Sequence, residues 1–266
     1  YAPEGSSNLV AFNGSGKAPA AANHEWYQNQ GITEIERQSP HSVTVPGAVD
    51  AWEQLLLSHG TKELGELLKP AIALAEEGYV ISPRVARDWA QQASMLANDP
   101  NAKNRFLPNG KPPAVGDVHH QPELANTLKI IAQKGRDGFY SGVVANDILT
   151  YLQSLGGLHT KKDFQTVHGD YVTPIKTNFR GYDVYECPPN GQGIIALLLL
   201  NIVSGFSPND NDPMSIERLH MEIEAGRLCY QDRNTFLADP SQADVPVEWL
   251  LSNEHANDLR NLIDPD

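Results

Sequence analysis

The chain has 266 residues, 40% of them hydrophobic and 20% charged, ordinary proportions for globular material with a generous core. Its 33 Asp and Glu against 20 Lys and Arg leave a net charge of −13, which argues against nucleic acid as a partner, since that takes a basic stripe, and against an anionic membrane surface. The longest apolar run, Ile194 to Val203, is about half of what spans a bilayer, and Cys187 and Cys229, the only cysteines, are read as free core thiols rather than a disulfide framework.

In chain order, Leu9 to Phe12 reads as a strand end running into the turn Asn13-Gly14-Ser15-Gly16. Lys17 does not make this a phosphate loop: Ala11 stands where the first glycine is needed, and Ala18 where Ser or Thr would follow. Ala18 to Ser39 is polar and irregular. A helix is expected from Ala48 to Ser58, burying Val49, Trp52, Leu55 and Leu56 and closed by Gly60. Thr61 caps a short helix with Leu64, Leu67 and Leu68 inward. Pro70 opens another over Ala71 to Glu77, and Gly78 ends it. Ser82-Pro83 starts a helix from Arg84 to about Leu96. Asn98 to Gly116 is a turn-rich connection, and His119-His120 are placed on a surface loop. A helix runs from Pro122 through Ala132, a second from Gly142 to Ser154, and Thr160 caps a short turn at Lys161 to Phe164.

Two strands follow, Tyr171 to Phe179 and Tyr182 to Glu186, joined as a hairpin at Arg180-Gly181. Pro188-Pro189 stops the second strand, because proline has no N–H for the ladder. Asn190, Gly191 and Gly193 then make a flexible turn that lets a backbone approach something closely. Ile194 to Val203 is apolar on every side, so it is expected as a buried helix whose N-terminus, with free N–H groups and a positive dipole end, would suit an anion. Pro208 to Pro213 reads as a solvated acidic loop without the Gly and Glu of a calcium site. Long helices are expected from Ser215 to about Asp232 and from Trp249 to Leu262.

The chemistry is notable for what is missing. Nine histidines lie scattered without metal-ligand spacing, and no GxSxG elbow occurs. Asp232-Arg233 reads as a charged surface pair or a helix-end fixture. The residues by themselves offer no nucleophile, base or metal cage, so either the chain is a binding or structural protein or its catalytic group lies elsewhere. Few strands accompany many helices, as though a sheet were partly supplied from outside.

Several segments together resemble the γ-glutamyltransferase family of N-terminal-nucleophile hydrolases. They are Gly16-Lys17-Ala18-Pro19; Val45-Pro46-Gly47-Ala48-Val49, with Leu68-Lys69-Pro70 onward to Gly78; Gly138-Phe139-Tyr140-Ser141-Gly142; Arg180-Gly181-Tyr182 with Pro188-Pro189; and Tyr230-Gln231-Asp232-Arg233 with Leu237-Ala238-Asp239-Pro240. The resemblance implies an α/β (α+β) fold, a four-layer αββα sandwich, to which this chain supplies mostly helices and part of the sheets as one domain, residues 1–266. It implies a self-cleaving precursor, with this chain as large subunit and a glycine-rich segment upstream of Tyr1. The nucleophile would be the N-terminal Thr of a small subunit, with its α-amino group as base, so no catalytic residue is expected here. Neither a metal nor an organic cofactor is implied. The partners implied are the small subunit and a small-molecule amide, with a dimer of heterodimers left open.

One departure stands out. True γ-glutamyltransferases carry an Arg just before the Ala-Pro motif, and it holds the α-carboxylate of the glutamyl group; here the position is Ser15. A serine can hydrogen-bond a ligand but cannot replace the charge. That resembles the γ-glutamyltransferase-like amidohydrolases, with the oxamate amidohydrolase branch nearest and cephalosporin-acylase-like members also near. Ser15, Asn190, Gly191 and Gln192 are the candidate substrate-binding residues, with Gly193 beside them; read plainly, all are turn residues. The expected function is cleavage of a small-acid amide such as oxamate, in purine breakdown. The alternatives are a γ-glutamyltransferase or glutathione hydrolase, and a non-catalytic binding protein of the same fold. A cytoplasmic location goes with the first reading and a periplasmic one with a true γ-glutamyltransferase.

Overall fold

The computed structural model describes residues 1–3, 9–207 and 212–264. They cluster into two compact units, Tyr1–Ser15 with Gly169–Asp266, and Gly16–His168. The first unit begins with the short strand β1 (Ala11–Asn13).

The unit Gly16–His168 is mainly helical. α1 (His24–Asn29) falls in the stretch expected to be irregular, and the Asn23 side chain caps it by accepting from Trp26 N–H at 2.9 Å. α2 (Ala48–His59) lies where glycine punctuation placed it. Val49 is buried and Leu55 and Leu56 are half-buried, but Trp52 is 42% exposed. Spacing fixes which residues share a face, while the neighbours decide how much of that face is covered. α3 (Leu64–Glu77) joins the two helices expected on either side of Pro70. Proline inside a helix forfeits one i→i−4 bond, and the packing of α3 along α7 (defined below) holds it together regardless.

Gly78 has φ +83°, and a Cβ there would sit 2.6 Å from Val118 Cγ1, so glycine is needed where β2 (Tyr79–Val80) begins. The helix expected to end at Leu96 is two, α4 (Pro83–Gln91) and α5 (Ala93–Leu96), broken at Gln92. The connection after it contains α6 (Pro100–Phe106), whose cap is the Asp99 carboxylate accepting from Ala102 N–H at 2.7 Å. Proline at a first helical position looks like turn chemistry in sequence. β3 (Val118–His119) pairs antiparallel with β2. His119 is therefore not on a surface loop: it is 6% exposed and its ring packs against Tyr79, Trp89 and Phe106. α7 (Pro122–Tyr140) continues past Ala132 through a kink at Gly135, where φ is +56°. α8 (Gly142–Ser154) and α9 (Lys161–Thr166) complete the unit, the latter with a capping box of Thr160 and Asp163.

Val45, Val49, Leu68, Ile131, Tyr140, Leu149 and Phe164 form the core here. Asp50 is fully buried within it, and Arg136 Nε donates to its Oδ1 at 2.7 Å. The same guanidinium donates to the carbonyls of Val167 and Gln165, and Tyr140 Oη donates to Pro46 O at 2.6 Å while accepting from Asp50 N–H. A buried charge so fully partnered is tolerable, and removing one partner strands the other.

In the other unit, β4 (Asp170–Val172) pairs antiparallel with β1, Asn13 opposite Asp170. The long strand expected from Tyr171 to Phe179 is thus two, β4 and β5 (Ile175–Phe179), parted at Pro174, which cannot donate to a ladder. β5 and β6 (Tyr182–Glu186) form the expected hairpin, with positive φ at both Arg180 and Gly181. α10 (Gly193–Val203) is the expected buried helix, with Ile194, Ile195, Leu197, Leu198 and Ile202 inside. α11 (Ile216–Phe236), α12 (Val247–Leu250) and α13 (Asn253–Arg260) follow; the last two replace one long helix, and Ser252 caps the second of them. The acidic loop expected from Pro208 lies partly outside the described residues, at 208–211.

α10 packs against β5, β6, α11 and α13. Its one buried polar residue, Asn201, is satisfied: Thr177 Oγ1 donates to its Oδ1, its Nδ2 donates to Leu251 O at 3.0 Å, and Arg260 donates to its carbonyl. Asp232 is not on the surface. It is buried and pairs with His255 Nε2 at 2.6 Å, under the ring of Trp249. Cys229 is buried in the same core, and both cysteines are free. Helices with two-stranded antiparallel pairs among the described residues make this the α+β chain that was expected.

Candidate functional site

The turn after β1 and the turn before α10 meet within one unit. β1 is fixed by its pairing to β4 and by the edge-to-face contact of Phe12 with Tyr171, centroids 5.0 Å apart. Gly169 lets Phe12 lie close, since a Cβ there would be 2.5 Å from the ring. This places Asn13 at the strand end. Its Oδ1 accepts from Ser15 N–H at 3.0 Å and from Ser15 Oγ at 2.5 Å, and its Nδ2 donates to Asn190 Oδ1 at 3.1 Å. Two of the sequence-derived candidates, Ser15 and Asn190, are therefore tied through a residue that was not among them. The signal for Asn13 was its place before Gly14, which reads equally as turn chemistry.

The second turn is built by its prolines and glycines. Pro189 is buried and the Pro189–Asn190 peptide is cis, while Asn190, Gly191 and Gln192 are exposed. Gly191 has open space where a side chain would be. Gly193 does not: a Cβ there would lie 2.5 Å from Glu186 Oε2 and 2.8 Å from Glu186 Cβ. Glycine is what lets α10 start against the end of β6, and it sets the Glu186 carboxylate beside the first turn of the helix, where the dipole favours a negative group. No side chain caps that turn.

Gln192 reaches a third element. Arg233 Nη1, from α11, donates to Gln192 Oε1 at 3.2 Å. The guanidinium lies over Tyr230, its carbon 4.4 Å from the ring centroid, and also donates to Asn234 Oδ1. Arg233 is half-buried, and among the described residues no carboxylate lies within ion-pair distance of it. Its neighbour Asp232, about 100° further round the helix, points into the core toward His255. The sequence reading missed Arg233 as a site residue because nothing local to α11 announces a contact 41 positions away. Gly191 makes no side-chain link of its own; it spaces Asn190 from Gln192.

The cluster is thus a polar rim at the mouth of α10, exposed at Ser15, Asn190 and Gln192 and half-buried at Asn13 and Arg233. It offers amide and guanidinium groups to a ligand and holds no nucleophile–base pair. Among the described residues no three His, Cys, Asp or Glu side chains are placed to hold a metal ion, and no helix is long and apolar enough to cross a membrane.

The profile of the Gamma-glutamyltranspeptidase family matches residues 2–266. The chain is 35% identical over 251 residues to the glutathione hydrolase-like YwrD proenzyme of Bacillus subtilis, covering 94% of this chain and 48% of that protein. Its fold is similar to the cephalosporin acylase of Bacillus halodurans, TM-score 0.87 at 36% identity, over 97% of this chain and 49% of the acylase. It is similar also to the γ-glutamyltranspeptidase of Helicobacter pylori, TM-score 0.86 at 30% identity, over 97% of this chain and 76% of that one. The chain spans about half the length of the curated relative it matches here. With a family profile matched along nearly all its residues, the chain belongs to the γ-glutamyltranspeptidase family.

Proposed function

We propose that this chain is the large-subunit part of a self-processed amidohydrolase that cleaves a small-acid amide of the oxamate type. The observation that carries the reading is Ser15, a neutral residue where γ-glutamyltransferases hold their glutamyl carboxylate with an Arg. Its hydroxyl is spent locally on Asn13, so it offers no charge to a glutamyl group. In the proposed reaction the small subunit's N-terminal Thr Oγ attacks the amide carbon, and its own α-amino group takes the hydroxyl proton. The C–N bond breaks, the proton passes to the leaving nitrogen, ammonia departs, and water then hydrolyses the acyl ester. This chain forms a wall of the site through Ser15, Asn190, Gly191 and Gln192. A cytoplasmic enzyme of purine breakdown is the setting that goes with this reading.

A glutathione hydrolase is the second reading, and the likeness to a glutathione hydrolase-like proenzyme favours it. The likeness to a cephalosporin acylase keeps larger amides in view. The test is a side-by-side assay of the full-length, processed protein on oxamate and on a γ-glutamyl anilide. Turnover of oxamate with little of the anilide is the expected result. The reverse preference would overturn the oxamate reading in favour of the second, and a precursor that never cleaves would count against both.

A further inference from the structure

We infer that Arg233 is the residue that reads a free carboxylate on the substrate, and so selects acidic amides over neutral ones. The inference rests on the site assignment above and deepens it. A guanidinium that is half-buried in a chain with 33 acidic side chains ordinarily finds a carboxylate. Arg233 has none among the described residues: it meets the amide oxygens of Gln192 and Asn234 and the face of Tyr230. These partners orient the planar fork without neutralising it, which is how a carboxylate receptor is preorganised.

Four other cations of this unit have partners of their own. Arg260 is spent on backbone carbonyls of α10, Lys176 on Asp183, Arg218 on Glu222 and Arg227 on Glu224. The end of α10 itself is already faced by the Glu186 carboxylate, so the helix dipole is not free to hold a second anion. Through Gln192, Arg233 is joined to the turn carrying Asn190, and through Asn190 and Asn13 to Ser15. The charge that Ser15 cannot supply is thus available from the other side of the same cluster.

The test compares substrates that differ in charge but hardly in size, using the full-length processed enzyme: oxamate against oxamide, and a γ-glutamyl anilide against its α-carboxamide. Arg233→Gln is expected to lower kcat/KM on the acidic member of a pair about 10- to 100-fold, mostly through KM, as loss of a charge-assisted contact does. The neutral member should change less than about 2-fold, because only the carboxylate uses the charge. Arg233→Lys should recover part of the loss, since it keeps the charge without the fork. Equal losses on acidic and neutral members would overturn the inference and leave Arg233 a packing residue. If wild type turns over only the γ-glutamyl pair, the oxamate reading fails while Arg233 is still judged on that pair. If it turns over neither, calorimetric titration of oxalate into wild type and Arg233→Gln decides: weaker, less salt-sensitive binding in the variant supports the inference, and unchanged binding sinks it.

Discussion

Gly193→Ala tests the geometry that brings the candidate site together. The new methyl would stand 2.5 Å from Glu186 Oε2, 2.8 Å from Glu186 Cβ and 2.9 Å from Glu186 Cδ. Carbon atoms pack best at roughly 3.5–4.0 Å, so all three contacts are overlaps. The carboxylate oxygen can swing away, but the Cβ moves only with the backbone of β6, which is paired residue by residue to β5. Either the strand end or the first turn of α10 must shift. Overpacking of this kind costs about 1–3 kcal/mol. Against it, alanine gains about 0.5–1 kcal/mol over glycine through the unfolded chain, and nothing about the φ of Gly193 forbids that gain. The steric term is the larger, so a net loss of about 1 kcal/mol is expected in chemical denaturation. Activity should fall further than stability, because Gln192, one residue before, loses its place beside Arg233. Gly191→Ala is the control: it meets nothing within 4 Å and should leave stability within about 0.5 kcal/mol of wild type. A Gly193→Ala protein as stable and as active as wild type would refute the argument that this glycine exists for the close approach.

Tyr140→Phe should cost about 1–3 kcal/mol in thermal or chemical denaturation, because it strands the buried Asp50 N–H and Pro46 carbonyl at once; a loss below about 0.5 kcal/mol would show that water or a rearranged backbone takes over. Burial, with the nearby Asp232 carboxylate adding to it, pushes the Cys229 thiol up to about 12 from an ordinary 9.0. The unfolded chain then loses this proton above pH 9 while the folded one keeps it, so stability should fall with rising pH between about 9 and 12, by up to about 1.4 kcal/mol per pH unit. Below pH 9 the group contributes no slope. Cys229→Ala should flatten that alkaline limb, and an unchanged limb in the variant would assign it to another group.

Much of the fold was legible in the residues. Glycine and proline punctuation located α2 and α8, and the run from Ile194 to Val203, apolar but for Asn201, marked α10 as buried. The hairpin at Arg180-Gly181 followed from alternation and a two-residue turn. These are local signals, and local chemistry decides them. The errors came where a distant neighbour outweighs the local signal. Packing along α7 carries α3 through Pro70, and pairing with β2 draws His119 into an aromatic cluster. His255, across the core, turns Asp232 inward. The site divides in the same way. Ser15 was singled out through the family's motif and the Asn190 to Gly193 turn through its glycines, although each reads equally as turn chemistry. That Asn13 ties the two turns together, and that Arg233 arrives from α11 with no carboxylate beside it among the described residues, depended on how β1, the turn before α10 and α11 come together. A side chain's charge is written in the sequence, but whether that charge is already paired is settled only when the chain has folded and its neighbours are known.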